Sequence, residues 1–211
     1  MASEKFDYKK EYKDLYLPKN KPMLIKIPQM SFIMVDGTKD PNNNKDFQDA
    51  VEMLYGISYT IKMSKMNKIQ PEGYFEYVVP PLEGLWWIDS GNFSLLEREN
   101  WKWTVMIRQP EFVDEKVFKW ACQELHFKKP NLNIEKIRFE KFEEGLSVQM
   151  MHIGPYISEP GTIEKISEFI KKEKLKDKVE FGGKHHEIYL SDPRKCKAEN
   201  LKTVLRHPVE K

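Results

Sequence analysis

Apolar and polar positions change period several times along the chain, and each change marks an element. Met30 to Val35 reads as a strand ended by Asp36-Gly37, ahead of the Asn-rich loop Asn42 to Asn44. Phe47, Ala50, Val51, Leu54, Ile57 and Ile61 then recur at three- and four-residue spacing, which predicts a helix from about Asp46 to Lys65 with one packed face. Tyr55 and Tyr59 form a second, aromatic stripe beside it. A strand is expected around Gly73 to Val79, then the turn Pro80-Pro81, the segment Leu82 to Trp87, and a strand from Trp101 to Gln109. In that last strand Trp101, Trp103, Val105 and Ile107 share a face.

Val117, Phe118, Ala121, Cys122 and Leu125 predict a connecting helix over Asp114 to Phe127, and Ile134 to Phe142 a strand that enters the turn Glu143-Glu144-Gly145. The order then restarts: a strand Leu146 to Ile153 ended by Gly154-Pro155, a helix marked by Ile163, Ile166, Phe169 and Ile170, a strand His185 to Leu190, and a last strand Leu201 to Pro208. Val35-Asp36-Gly37 matches Ile153-Gly154-Pro155, and Glu76 to Pro80 is matched to Glu187 to Leu190. A tandem β-α-β-β unit accounts for this, with halves at about 28–110 and 145–211 and a connecting helix and strand at about 114–142. The fold class is α+β, with a continuous antiparallel sheet, helices on one face and a ligand cleft at the pseudo-twofold junction. Residues 1–27, rich in Lys and Tyr and broken by Pro18 and Pro22, read as an irregular arm over a single domain at 28–211.

Composition narrows the function. The chain has 211 residues, 40% of them hydrophobic, enough for a sizeable core. Thirty-five basic against thirty-three acidic residues leave a formal charge of +2, and Lys dominates over the Arg that reads bases, so no direct nucleic-acid partner is expected. The longest apolar runs fall far short of the roughly 20 residues that span a bilayer, and Met1 to Lys13 lacks the signature of a secretory signal or transit peptide. The expectation is a cytoplasmic protein with no membrane partner. Cys122 and Cys196 form no C-x-x-C and have no His at zinc-finger spacing. Asn92-Phe93-Ser94 matches a glycosylation sequon that matters only in a secreted chain. P-loop, G-x-G-x-x-G and G-x-S-x-G signatures are missing.

Glu187 is the leading candidate for chemistry. In a period-two strand it shares a face with His185 and Tyr189, while His186, Ile188 and Leu190 face the other way. On that face it is either solvated or lines the cleft, where desolvation suits a carboxylate to proton transfer or to pairing with a cation. Trp86 and Trp87 stand where a strand ends and face opposite ways, so one can be core while the other walls a pocket. Trp101, Trp103, Phe93, Tyr55, Tyr59, Tyr156 and Phe181 supply further material for an aromatic cage, although large aromatics also simply fill cores. His185-His186-Glu187 lacks metal-ligand spacing, so no metal site is expected.

Glu187-Ile188-Tyr189-Leu190-Ser191-Asp192-Pro193, the ending Leu201 to Val209, and Val79-Pro80-Pro81-Leu82-Glu83-Gly84-Leu85-Trp86-Trp87 resemble the GyrI-like small-molecule-binding family over about residues 20 to 211. The last segment resembles its stand-alone branch, part of which is known as cyclopropanoid cyclopropyl hydrolases. The resemblance implies tandem SHS2-type units and an aromatic cleft for flat or cationic xenobiotics, with Glu187 at its floor. It further implies a cofactor-independent hydrolase that opens the cyclopropane of DNA-alkylating dienones, giving cellular protection. Glu187 would orient or deprotonate the water, and Tyr189 or Tyr156 would hydrogen-bond the oxygen that becomes phenolate. Trp86, Trp87, Tyr55, Trp103, Tyr156 and Phe181 would bind the ligand. The alternatives are a non-catalytic multidrug-binding or sequestering protein, and an effector-binding or inhibitory partner of another protein.

Overall fold

In the computed structural model, which describes residues 5–67, 69–89 and 98–211, single-turn helices α1 (Tyr8–Glu11) and α2 (Lys13–Tyr16) lead into strands β1 (Met23–Ile27) and β2 (Met30–Thr38). Helix α3 (Lys45–Lys62) starts where the Asn44 side chain accepts from the Phe47 N–H, a capping role for which Asn is well suited. Strands β3 (Leu82–Trp87) and β4 (Lys102–Arg108) complete the first half. Helix α4 (Glu115–Lys128), capped by Asp114 on the Val117 N–H, and β5 (Ile137–Phe142) make the connection. The second half is β6 (Gly145–Ile153), α5 (Pro160–Lys172), the two-residue β7 (Lys176–Asp177), β8 (His185–Tyr189) and β9 (Lys202–Glu210).

Among the described residues the strands form one antiparallel sheet in the order β1-β6-β9-β8-β3-β4-β2-β5, with β7 paired to the end of β9. The units β2-α3-β3-β4 and β6-α5-β8-β9 therefore meet at β3 and β8, and the register sets Gly84 directly opposite Glu187 at this junction. The α+β class and continuous antiparallel sheet read from the sequence are what the molecule has.

Each face of the sheet has its own covering. Side chains of one set, including Val35, Val105, Trp103 and Trp86, pack under α3 and α4, and Val148, Met150, Leu205 and Val209 pack under α5. The opposite face, carrying Met151, Ile188 and Val204, is covered by Tyr8, Leu15, Tyr16 and Tyr77. The longer helices thus share one face as expected, whereas the two single-turn helices lie on the other. Among the described residues no helix is long and apolar enough to cross a membrane.

Three expectations need correction. Gly73 to Val79 is not a sheet strand: Tyr77 makes only an isolated parallel bridge to Phe6, and its neighbours pack with the arm. Its apolar alternation is that of an extended strip lying over the sheet, so the matching of Glu76 to Pro80 with the Glu187 strand also fails; β3 is the counterpart of β8. Residues 1–27 are not irregular throughout either, because Met23–Ile27 pairs with Gly145–Gln149 as the edge strand. The Asn92-Phe93-Ser94 sequon, and with it Phe93, lies outside the described residues.

Candidate active site

A cavity of about 540 Å³ opens at the β3–β8 junction, within the size range of small-molecule sites. Helix α3 supplies Phe47, Val51, Tyr55 and Tyr59, a stripe at four-residue spacing that forms one wall. Trp86 and Trp101 form a second, with ring centroids 5.2 Å apart, and Phe47 stacks on Trp86 at 6.1 Å. Tyr156 and Tyr189 meet edge to face at 6.0 Å on the opposite side. Gly84 explains how the Trp86 ring reaches this position: a Cβ there would stand 2.8 Å from Trp86 Nε1, so only glycine leaves the indole room beside Glu187's cross-strand position.

Glu187 forms the polar floor. It is 5% exposed, accepts the Tyr189 hydroxyl on Oε2 at 2.7 Å, and has His185 Nε2 3.2 Å from Oε1. A second carboxyl lines the same cavity. Glu159 precedes Pro160 at the start of α5, does not cap that helix with its side chain, and is 2% exposed with Oε1 lacking a partner. Burial, reinforced by the charge of Glu187, pushes the Glu159 carboxyl up to about 9, against a smaller opposing pull from Arg98. The direction favours the protonated form of Glu159, which can donate a proton. Burial and then the Glu187 charge also push the Tyr156 hydroxyl up to about 12, and the same two causes push the Tyr189 hydroxyl well up.

Of the residues singled out from sequence, Glu187, Tyr189, Tyr55, Tyr59, Tyr156, Trp86 and Trp101 converge on this cavity. Trp87, Trp103 and Phe181 do not. Trp87 emerges on the other face, where Lys184 Nζ lies 3.9 Å from its ring centre. Trp103 is sealed in the core: its ring lies over Gly37, where a Cβ would come within 2.1 Å of it. Phe181 is 68% exposed beside Lys176, ahead of the turn at Gly182-Gly183. The residue missed is Glu159, whose signal, a lone Glu before a helix-starting Pro-Gly, resembles an ordinary helix terminus.

A Listeria innocua structure described as an uncharacterized conserved protein matches with 48% identity and a TM-score of 0.92, covering 98% of this chain and all of that one. A second Listeria innocua structure, described as a hydrolase, matches with 47% identity and a TM-score of 0.90 over the same extents. The EcmrR C-terminal domain shares the fold at 14% identity and a TM-score of 0.53, over 90% of this chain and 98% of that one. No curated protein matches the chain. The model of the GyrI-like small molecule binding domain matches residues 20–210, and the chain belongs to that family.

Proposed function

We propose that the protein is a hydrolase that adds water to the strained ring of flat, cyclopropane-fused dienones held in the aromatic cavity. The observation that carries this reading is that Glu187 shares one ring-lined cavity with a second carboxyl, Glu159, which burial pushes toward its protonated form, since two carboxyls in unlike surroundings divide naturally into base and acid. The hydrolase description of a relative with nearly half its residues identical supports the same class of reaction.

In this mechanism Tyr55, Trp86, Trp101 and Tyr156 contact the planar ligand, and their electron-rich faces favour positive charge developing at the attacked carbon by about 0.5–2 kcal/mol per good contact. Glu187 takes a proton from the attacking water. The new C–O bond forms as a cyclopropane C–C bond breaks, and the electron pair passes through the dienone to its oxygen. Glu159 or Tyr156 hydrogen-bonds that oxygen as it becomes phenolate. Tyr189 takes a different role from the one anticipated: its hydroxyl is engaged with Glu187 and fixes the base.

The test is incubation with a cyclopropane-fused cyclohexadienone, following the water adduct by chromatography and mass. Wild type should accumulate it catalytically, and Glu187→Gln should lose about 10²–10⁴-fold in turnover while retaining the ligand. Retention of the ligand without adduct in the wild type would make this a sequestering protein, and unchanged turnover in Glu187→Gln would remove Glu187 from the mechanism.

A further inference from the structure

Behind Glu187 lie buried titratable side chains that do not line the cavity. From the cavity floor a line of titratable side chains runs along the sheet beneath α5. Glu187 Oε1 lies 3.2 Å from His185 Nε2, His185 Nδ1 lies 2.9 Å from His207 Nε2, and His207 Nδ1 lies 2.8 Å from Asp177 Oδ2. All four residues are at most 7% exposed. The topology produces this alignment. One step beyond the His186–Arg206 pair, β8 and β9 set the rings of His185 and His207 edge to face at 5.0 Å, and β7 brings Asp177 beside Val209. Asp177 Oδ1 accepts from the Val179 N–H at 3.0 Å, which fixes the far carboxylate. The groups are strung out rather than gathered on a point, and among the described residues no cluster of His, Cys, Asp and Glu is disposed to hold a metal ion.

Counting protons shows what such a line requires. The His185–His207 and His207–Asp177 contacts are hydrogen bonds, and each needs one proton between its heavy atoms. The Glu187–His185 approach at 3.2 Å is an ion-pair contact whose alignment falls short of a hydrogen bond, and it is attractive only with a proton on His185 Nε2, because two facing lone pairs repel. Two neutral imidazoles bring only two. With both end carboxylates ionised, the line closes when it holds a third proton, which belongs to the assembly rather than to one ring. Burial pushes His185 down, against the opposing pull of Glu187, so this ring is a poor place for a fixed charge and a suitable conduit.

We propose that Asp177, His207 and His185 are positioning residues that form a proton relay serving Glu187, an inference that rests on the water-addition reaction proposed above. When Glu187 takes the water proton at Oε2, it loses the charge that held a proton on His185 Nε2, facing Oε1. That proton withdraws through His185 toward His207 and Asp177. It returns when Glu187 passes the water-derived proton to the phenolate, so the relay ends the cycle with the proton it started with. The neighbouring groups are Tyr189, Tyr156 and Glu159 around Glu187, and His186 behind His185. Lys176 beside Asp177 is paired with Glu210, and α5 contributes Ile166 and Ile170 over β9.

Asp177→Asn retains an acceptor for the Val179 N–H while removing the charge at the end of the relay. Its kcat for water addition should fall on the order of tenfold or more with KM unchanged. The alkaline fall of its kcat–pH profile should move to lower pH, because the shared proton has lost a counter-charge; a profile superimposable on the wild type would overturn the proposal. Nitrogen-15 spectra of the histidine rings read the relay without turnover. His185 and His207 should titrate together, and Asp177→Asn, Glu187→Gln and the independent variant His207→Gln should each disturb the remaining ring or rings. Rings that titrate independently in the wild type would overturn the relay. Linked rings in a wild type that forms no adduct would support the relay and remove the reaction.

Discussion

His185 and His186 are adjacent, equally buried and opposite in character. His185 lies on the cavity face, where burial prevails and depresses its proton affinity. His186 lies on the arm face with Glu83 Oε2 3.0 Å from Nε2 and Glu144 Oε2 3.0 Å from Nδ1, and these carboxylates outweigh burial and raise it. Burial pushes Glu144 up as well, but the His186 and Arg206 charges reverse that and hold it at about 2. Arg206 completes the arm-face network, reaching Glu144 at 3.0 Å, Gln149 Oε1 at 2.9 Å and the Leu15 carbonyl at 3.0 Å. Across the sheet, burial and the Glu187 charge raise the Glu159 carboxyl against only a smaller pull from Arg98, and its Oε1 has no hydrogen-bond partner among the described residues. One strand thus separates charges matched for holding the arm from carboxyls left under-compensated and available for proton transfer.

The largest expected effect comes from breaking the matched side. Arg206→Ala leaves Glu144 buried beside one cation fewer and frees the Leu15 carbonyl, and should cost about 3–5 kcal/mol in urea denaturation at neutral pH. Because the folded Glu144 is depressed, its contribution is present above the ordinary carboxylate range and is lost as pH falls toward 2. The penalty of the variant should therefore shrink in acid. A cost below about 1 kcal/mol would mean that this network does not hold the arm.

Glu159 tests the other side with the opposite sign. A carboxyl raised to about 9 when folded makes the protein less stable as pH rises from the ordinary carboxylate range toward that value. Glu159→Gln removes that loss while keeping the shape. It should be more stable than the wild type at pH 8 by about 1 kcal/mol or more, with the advantage vanishing near pH 4, and should turn over more slowly. Equal stability at both pH values would mean that Glu159 is not held as a neutral acid.

Much of this architecture is legible in sequence because burial on one face leaves a period. The helix predicted at Asp46 to Lys65 is α3, the restart after Gly145 is the second unit, and mid-strand Glu187 stands out against its apolar neighbours. What period two cannot supply is which face meets the cavity. It separates Trp86 from Trp87, but only the packing of α3 over β3 says that Trp86 is the one inside. The extended run at Gly73 to Val79 alternates like a strand and lies on the sheet instead of in it. Glu159 and the Asp177–His207–His185 line are illegible for a further reason: the Glu159–Glu187, His185–His207 and His207–Asp177 pairs are 22 or more positions apart, and their meaning arises only once the strands are in register.

The Trp86–Trp87 pair gives the finest division between the faces, and the smallest expected effect. Trp87 rests against Lys184, a contact worth about 0.5–1 kcal/mol at an exposed site, and has no part in the cavity. Trp87→Ala should leave the affinity for a flat aromatic cation, read by the ligand's fluorescence, within about twofold. Trp86→Ala removes a wall that stacks with Phe47 and packs on Trp101, and should weaken the same ligand by about tenfold, the equivalent of 1.4 kcal/mol. If both variants weakened the ligand alike, the indole on the arm face would be coupled to the cavity and the sheet would not insulate its two sides. If neither did, the ligand would be held by the Tyr55, Tyr59 and Tyr156 rim, with the indoles serving as core alone.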